Sequence, residues 1–195
     1  GQHVNYVDVA PMTAKDPTGS ALTALAMPMI FGGMSSAAIF SMVFKNSRAK
    51  QLIGALGVAI LGGLVASSVL YFGFDALEAN FWPTTGVIIL GIAAISTTVL
   101  GLKSLLGIAG LGLGAVTMLF ISNPHSGMAT GMHWLPSPWG AIGQYLPLGA
   151  AGTALRSSAF FDGAGMTNSV IVLLCWIIAG ITLAAAGAWR ARRTG

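Results

Sequence analysis

Charged residues are scarce in this chain of 195 residues. Only 7% are Asp, Glu, Lys or Arg, whereas 55% are hydrophobic. A soluble domain usually has about 25% charged residues, so this chain cannot cover a surface that faces water. The scarcity excludes an ordinary cytosolic enzyme, a disordered chain and a partner made of nucleic acid, although the formal net charge is +4. The composition predicts a membrane protein, with the lipid bilayer as its first partner.

Groups that carry chemistry are also few. Cys175 is the single cysteine, which excludes a disulfide framework and a multi-cysteine metal site within the chain. No G-x-x-x-x-G-K-[ST] motif occurs, so any ATPase would be a separate subunit. Every Asp and Glu lies outside the long apolar runs, so the acids typical of an intramembrane proton relay are missing.

The three histidines predict neither a metal site nor a catalytic site. His125 and His133 share one loop with Asp162, but their spacing matches no zinc-binding motif. His125 and Ser126 are neighbours in sequence, which does not create the hydrogen-bonded pair that a serine nucleophile needs. We therefore predict no enzyme activity, no metal and no cofactor.

Long apolar runs are abundant. A membrane-spanning helix needs about 20 mostly apolar residues. Four runs reach that length, namely 21–44, 51–74, 86–121 and 170–189. The third run is too long for one crossing and contains one charge, Lys103. Division at residues 101–104 gives two spans of about 17 residues each, at the short end of the range.

The distribution of charge favours five spans over four. With five, seven basic residues share one side of the membrane, and all five acids share the other side with only Lys15 and Arg156. The positive-inside rule then predicts a multi-pass cell-membrane protein whose N-terminus is outside and whose C-terminus is cytoplasmic. The seven basic residues are Lys45, Arg48, Lys50, Lys103, Arg190, Arg192 and Arg193.

The predicted fold is all-α, with five transmembrane helices and a short helical hairpin on the outer side before the last span. Residues 1–20 form an extracytoplasmic segment, 21–122 hold four helices, 123–169 form the outer loop, and 170–195 hold the last helix and a basic tail. No signal peptide is visible at the start. The chain is therefore expected to be a processed product or the C-terminal part of a longer protein.

Small residues four apart predict close helix packing in the spans. The pairs are Gly33/Ala37, Ala59/Gly63, Gly110/Gly114 and Gly180/Ala184. They indicate packing within one bundle, with homodimerisation through one stripe as the alternative. Pro28 lies inside the first span and should kink it, either as a purely structural feature or for gating.

The loop 123–169 is long for a connector and rich in aromatic residues, which suit the membrane–water interface. Ser137-Pro138 predicts a helix start, with one short helix at about 138–145 and a second at about 148–161. The pair is expected to form a hairpin that lies on the outer leaflet or dips into it.

Sequence motifs in this loop resemble the last outer loop of type-2 ABC exporter permeases, in the phage-infection-protein-like branch. The matching residues are Asn123, Pro124, Ser126 and Gly127, then Pro138, Trp139, Ile142, Gly143, Leu146, Pro147, Gly149 and Ala150, then Phe161, Asp162 and Gly163. The segment VDVAPMTAKDPTG also resembles the approach to the membrane domain in that branch. The resemblance implies a permease that works with a separate ATPase and exports its substrate.

The outer hairpin is the predicted substrate path or gate. Its candidate residues are Trp139, Gly143, Pro147, Gly149, Ala150, Arg156 and Asp162. Arg156 and Asp162 are six residues apart, which is wrong for a pair on one helix face. They could meet if the chain turns back at Gly163, or Arg156 could reach lipid phosphate while Asp162 caps the next turn.

Two functions follow from these patterns. The first is a permease-like subunit of an exporter for amphiphilic or lipid-like substrates, with other membrane subunits or a second copy as partners. The second is a non-catalytic structural or accessory subunit of a larger bacterial envelope complex. A bound ATPase would favour the first, and copurification with an unrelated membrane enzyme would favour the second.

Overall fold

The computed structural model of this chain describes Asp16 and residues 20–74 and 81–194, and these residues form helices and turns without a β-strand. The helices are α1 (Ser20–Ala24), α2 (Ala26–Val43), α3 (Arg48–Ser68), α4 (Phe81–Leu106), α5 (Ile108–Val116), α6 (Trp139–Gly143), α7 (Pro147–Phe160) and α8 (Thr167–Thr194). Helix α3 continues as a π-helix over Val69–Gly73, and α5 continues as one over Thr117–Ser122. The predicted all-α fold is confirmed.

Predictions for the N-terminal segment fall mostly outside the described residues. Asp16 and Ser20 are the only described members of residues 1–20. The carboxylate of Asp16 accepts the backbone N–H groups of Ser20 (2.8 Å) and Ala21 (2.9 Å) at the start of α1. Asp75 and Glu78 are two of the five acids that the charge distribution places on the outer side, and they also lie outside the described residues.

Helix α4 is the centre of the bundle and packs against α2, α3, α5, α7 and α8. Of its most apolar stretch, 78% is buried within the protein, against 22% for α3 and for α8. A helix that is apolar on every face needs such a central place. The neighbouring helices can expose apolar side chains to lipid, because lipid tails are as apolar as those side chains and the exposure carries no hydrophobic penalty.

Four helical segments are long and apolar enough to cross a membrane. They are Ser20–Val43, Arg48–Gly73, Phe81–Leu106 and Thr167–Ala191. The segment Ile108–Ser122 is shorter, and its 15 residues extend roughly 22 Å at 1.5 Å per residue, below the ~30 Å of a typical hydrocarbon core. Four candidate spans are therefore shown, and the fifth crossing stays a prediction.

The predicted break at residues 101–104 is wrong. Helix α4 continues to Leu106, and the chain turns at Gly107, whose φ of 64° is in the left-handed region that glycine tolerates. Gly101 instead packs against α8, because a Cβ there would lie 2.6 Å from the carbonyl oxygen of Gly180. The turn after α4 sends α5 back along it, with Gly114 facing Val99.

The small-residue stripes pack within the chain, which confirms the intramolecular interpretation. All eight residues of the four pairs are buried. Gly33 faces Ile95, Gly63 faces Ile89, and Gly180 faces the backbone at Thr97. With Gly114 facing Val99, all four stripes rest directly on α4. Close backbone approach of this kind is what small residues permit between membrane helices.

The first span is interrupted close to Pro28, and the predicted kink there stays a prediction. The first span is interrupted at Leu25, between α1 and α2, three residues before the proline. Proline lacks an N–H and clashes with the preceding turn, so the helix cannot continue regularly across this point. The Leu25 N–H bonds instead to the Leu22 carbonyl at 3.2 Å.

The bundle has two distinct ends. At one, called the basic end, the α2–α3 turn, the α4–α5 turn and the C-terminal part of α8 meet. The Lys103 ammonium donates to the Ser41 carbonyl (3.4 Å) and the Ser104 hydroxyl to the Ala184 carbonyl (3.2 Å). At the other, called the hairpin end, α1 and α4 begin and residues 123–166 lie. The described basic residues of the predicted cytoplasmic set share the basic end.

Candidate functional site

An apolar groove lies between the first two spans, toward the hairpin end. It has a volume of about 500 Å³ and is partly open to the surroundings. Helices α1 and α2 form one wall, α3 with its π-helix forms the other, and α4 forms the back. The lining residues are Ser20, Ala21, Ala24, Leu25, Pro28, Met29, Gly32, Val58, Gly62, Val65, Ala66, Val69, Leu70, Phe74, Ile88 and Ile92.

The groove exists because α2 and α3 touch near the basic end and separate toward the hairpin end. Near the basic end the ring of Phe40 lies so close to Gly54 that an added Cβ would be 2.6 Å from it. Farther along, Leu25 separates α1 from α2, and α3 continues as the π-helix Val69–Gly73. Glycines at 32 and 62 leave space between these walls.

The chemistry of the groove suits a hydrocarbon chain. Ser20 is the only described lining residue with a polar side chain, and its hydroxyl donates to Asp16 at 3.0 Å. The volume falls within the ~300–1,000 Å³ of typical ligand pockets. Exposed apolar side chains such as Phe31 and Leu61 continue the surface beside it. Within a bilayer, the open side of such a groove would face lipid tails.

A helical hairpin lies on the other side of the bundle and comprises α6, α7 and the connecting residues 144–146. Helix α7 runs antiparallel to α4, with Thr84 hydrogen-bonded to Ser158 at 3.1 Å and Gly91 facing Ala151. The connecting residues reach α8, where the indole N–H of Trp176 donates to the Tyr145 carbonyl at 2.7 Å. Trp176 is nine residues into α8, which places the hairpin tip roughly 14 Å along that helix.

The backbone of the hairpin packs directly against the backbone of the loop after Ser122, and the backbones of its two helices pack against each other. A Cβ at Gly143 would lie 1.8 Å from the His125 carbonyl oxygen, and one at Gly149 would lie 2.1 Å from the Gly143 carbonyl oxygen. The Leu148 N–H donates to the Ser122 hydroxyl at 3.2 Å. Since no side chain separates these segments, the hairpin is a tightly fixed element rather than a loose loop.

Arg156 adopts a role that neither predicted alternative contained. Its guanidinium donates to the backbone carbonyl of Met128, and the Thr23 hydroxyl donates to the same oxygen at 3.1 Å. One carbonyl thus joins α1, the loop after Ser122 and α7. Asp162 follows α7 with a φ of 49°, and its side chain is exposed.

The predicted hairpin helices are confirmed with small shifts. Helix α6 is shorter than predicted, and Pro138 is its N-cap residue rather than its first helical residue. Pro147 begins α7 and is buried with Gly149 and Ala150 in its first turns. Trp139 begins α6, and its ring centroid lies 4.8 Å from that of His125.

None of the seven predicted gate residues lines the groove. They lie in or next to the hairpin, whereas the groove lies between α2 and α3. Sequence reasoning singled out Pro28 but gave it no binding role. The sequence does contain a signal for the groove, namely Pro28 together with Gly32 and Gly62. The proline disturbs the first helix, and the two glycines leave space on the facing helix surfaces because they have no side chain.

The described residues hold no group of three or more His, Cys, Asp or Glu side chains placed to bind a metal ion. Ser126 uses its hydroxyl within its own turn, donating to the Asn123 carbonyl at 2.7 Å and accepting the Met128 N–H at 3.2 Å. His125 directs Nδ1 to the Ile121 carbonyl at 2.7 Å. These local bonds stabilise the loop after Ser122.

Comparison with known proteins gives no match to a family model, to a curated protein or to a solved structure. The groove, the hairpin and the charge distribution of this chain therefore carry the indications of its function.

Proposed function

We propose that this chain is a permease-like membrane subunit of an exporter for amphiphilic or lipid-like substrates. The observation that carries the proposal is the apolar groove of about 500 Å³ between α2 and α3. The loop motifs that resemble type-2 exporter permeases support the same function independently. The basic end would face the cytoplasm under the positive-inside rule, and a separate ATPase would act there.

The groove fits this function because its open side lies between two candidate membrane spans. An amphiphile could place its hydrocarbon chain there directly from the bilayer, without first entering water. Burial of apolar surface in a pocket that already exists requires little rearrangement of the protein. A soluble, polar substrate would find only the Ser20 hydroxyl among the described lining side chains.

The hairpin lies on the other side of the bundle from the groove and would serve this function as a fixed part of the membrane domain. Its tip lies roughly 14 Å along α8, about half of a typical hydrocarbon thickness, so we propose that it dips into the membrane. Non-helical backbone at that depth must be sheltered by protein. Residues 144–146 meet this requirement in part through the bond from Trp176 to the Tyr145 carbonyl.

Two matched glycine substitutions test the proposal. A Cβ at Gly32 or at Gly57 would meet nothing within 4 Å, and only Gly32 lines the groove. Both lie inside helices, so Gly32→Phe and Gly57→Phe should insert and fold similarly, while only Gly32→Phe fills the groove. The measurement is a comparative lipid analysis of the cell membrane in cells that lack the chain or carry each variant.

The proposal expects an amphiphile to accumulate when the chain is deleted. The wild type and Gly57→Phe should clear it, and Gly32→Phe should not. If both variants restore the normal lipid profile, the groove is not the path. If deletion changes no lipid but lowers the amount of a partner membrane complex, the chain is the accessory subunit of the second hypothesis.

A further inference from the structure

Two positively charged side chains from different helices are anchored on the last turn of α2, at the basic end. The Lys103 ammonium of α4 donates to the Ser41 carbonyl at 3.4 Å. Arg48 is the first residue of α3, and its guanidinium donates to the side-chain oxygen of Gln51 at 3.1 Å. The Gln51 amide donates to the Phe44 carbonyl at 2.7 Å, three positions after Ser41. One turn of α2 therefore holds both charges.

The two charges have fixed positions and spare donors. Gln51 is 1% exposed, so the group that orients Arg48 is buried in the protein. Arg48 and Lys103 are themselves half-buried, and Arg48 lies near enough for its charge to act on Lys103. A guanidinium has five N–H donors and an ammonium three, and the bonds above use one of each. The remaining donors are available to a ligand.

No acidic side chain compensates this pair within the part of the chain that the structure describes. Asp16 and Asp162, the two acids of that part, both belong to the hairpin end. The C-terminus of α2 carries roughly −0.5 elementary charge and the N-terminus of α3 roughly +0.5, so these helix ends offset each other. Two positive charges remain close together. Their mutual repulsion favours the binding of an anion.

Exposed apolar side chains lie next to the charged pair. Val43 ends α2 and is 62% exposed, and Ile108 begins α5 and is 86% exposed. In a bilayer such side chains contact lipid tails, while charges at the ends of spans lie at the level of the head groups. A ligand that matches both features has a phosphate joined to acyl chains. A soluble anion would leave the apolar side chains uncovered.

We infer that Arg48 and Lys103 bind the phosphate of an anionic phospholipid in the leaflet at the basic end. The planar guanidinium can hold two phosphate oxygens, and the ammonium adds a point charge. A zwitterionic lipid has its own ammonium beside the phosphate, so these charges attract it less. The site lies at the opposite end of the bundle from the hairpin and does not involve the groove. It therefore stands independently of the proposed function.

The test measures lipid binding to the purified full chain in detergent by native mass spectrometry. The probes are phosphatidylglycerol and phosphatidylethanolamine with the same acyl chains, with inorganic phosphate as a competitor. We expect the wild type to prefer phosphatidylglycerol. Arg48→Gln and Lys103→Gln should each weaken its binding about tenfold, because a hydrogen bond from a charged group contributes that much. Binding of phosphatidylethanolamine should weaken less.

Arg193→Gln is the matched control. It removes the same charge from the C-terminal part of α8, where the Arg193 guanidinium carbon lies 3.6 Å from the centre of the Trp189 ring. This variant should keep the preference for phosphatidylglycerol, and so should Gly32→Phe, which acts on the groove. Lys103 lies within a candidate span, so Arg48→Gln decides the test if Lys103→Gln fails to insert.

Three results would overturn the inference. Equal losses in Arg48→Gln and Arg193→Gln would show that the whole basic end attracts anions without a defined site. Displacement of phosphatidylglycerol by inorganic phosphate would assign the pair to a soluble anion. Equal binding of the two lipids by the wild type would remove the lipid site and leave an acidic protein partner as the ligand of the basic end. None of these results would bear on the groove.

Discussion

Replacement of Gly143 by alanine is the most direct perturbation of the hairpin. The new Cβ would lie 1.8 Å from the His125 carbonyl oxygen, whereas ordinary contact begins near 3.4 Å. The backbones must therefore separate by about 1.6 Å, and the carbonyl is not a flexible group that can move aside. Overpacking of a well-packed interior typically costs about 1–3 kcal/mol. We expect a loss at the upper end of that range, because both contacting segments are backbone.

Gly86→Ala is the matched control. Gly86 lies in α4, and a Cβ there meets nothing within 4 Å. Alanine in a helix interior is favoured over glycine by up to ~1 kcal/mol, so this variant should be as stable as the wild type or slightly more stable. The assay is reversible unfolding in detergent micelles, with the free energy of unfolding measured for both variants. Equal stability of Gly143→Ala and Gly86→Ala would refute the backbone contact between the hairpin and the loop.

Three further predictions address the hairpin tip, the start of α1 and the orientation. Trp176→Phe removes the donor to the Tyr145 carbonyl and should lower the free energy of unfolding by about 1 kcal/mol, more than the control Trp189→Phe. Burial by itself would raise the pKa of Asp16, but hydrogen bonds from the Ala21 amide and from the Ser20 hydroxyl and amide hold that pKa below its ordinary value. The resulting stabilisation is complete above pH ~4 and is lost as the pH falls further, so exchange of the Ser20 and Ala21 amides should then quicken relative to their intrinsic rates. With Cys175 replaced, a cysteine at Thr130 should react with an impermeant thiol reagent in intact cells and one at Asn46 should not, and labelling of Asn46 alone would reverse the proposed orientation.

Apolar runs and turn residues were enough to predict the all-α fold and its main segments. The first two spans and the last agree with the observed helices to within a few residues, because length and hydropathy dominate the structure of such segments. The hairpin followed from the proline positions, since Pro147 begins α7 and cannot continue a preceding helix. Pro28 likewise predicted an irregularity in the first span, which the structure places three residues earlier, at Leu25.

Features that depend on helix neighbours were not predictable from the sequence. Gly101 and Gly107 lie in the same apolar run, and the sequence does not show which of them ends α4. The structure shows that Gly101 packs against Gly180 and that the turn between α4 and α5 is at Gly107. The groove depends on how α2 and α3 diverge, which no single residue encodes. The bond from Arg156 to the Met128 carbonyl joins positions 28 residues apart.

The most direct test of the groove is photolabelling of the protein in vesicles whose lipids carry a diazirine midway along an acyl chain. Adducts are mapped to residues by mass spectrometry. We expect labelling at Val58 and Val65 to exceed that at Ile178, an exposed residue of α8 outside the groove. Gly32→Phe should abolish the excess and leave Ile178 unchanged. Equal labelling at all three positions, unaffected by Gly32→Phe, would contradict a specific chain-binding groove.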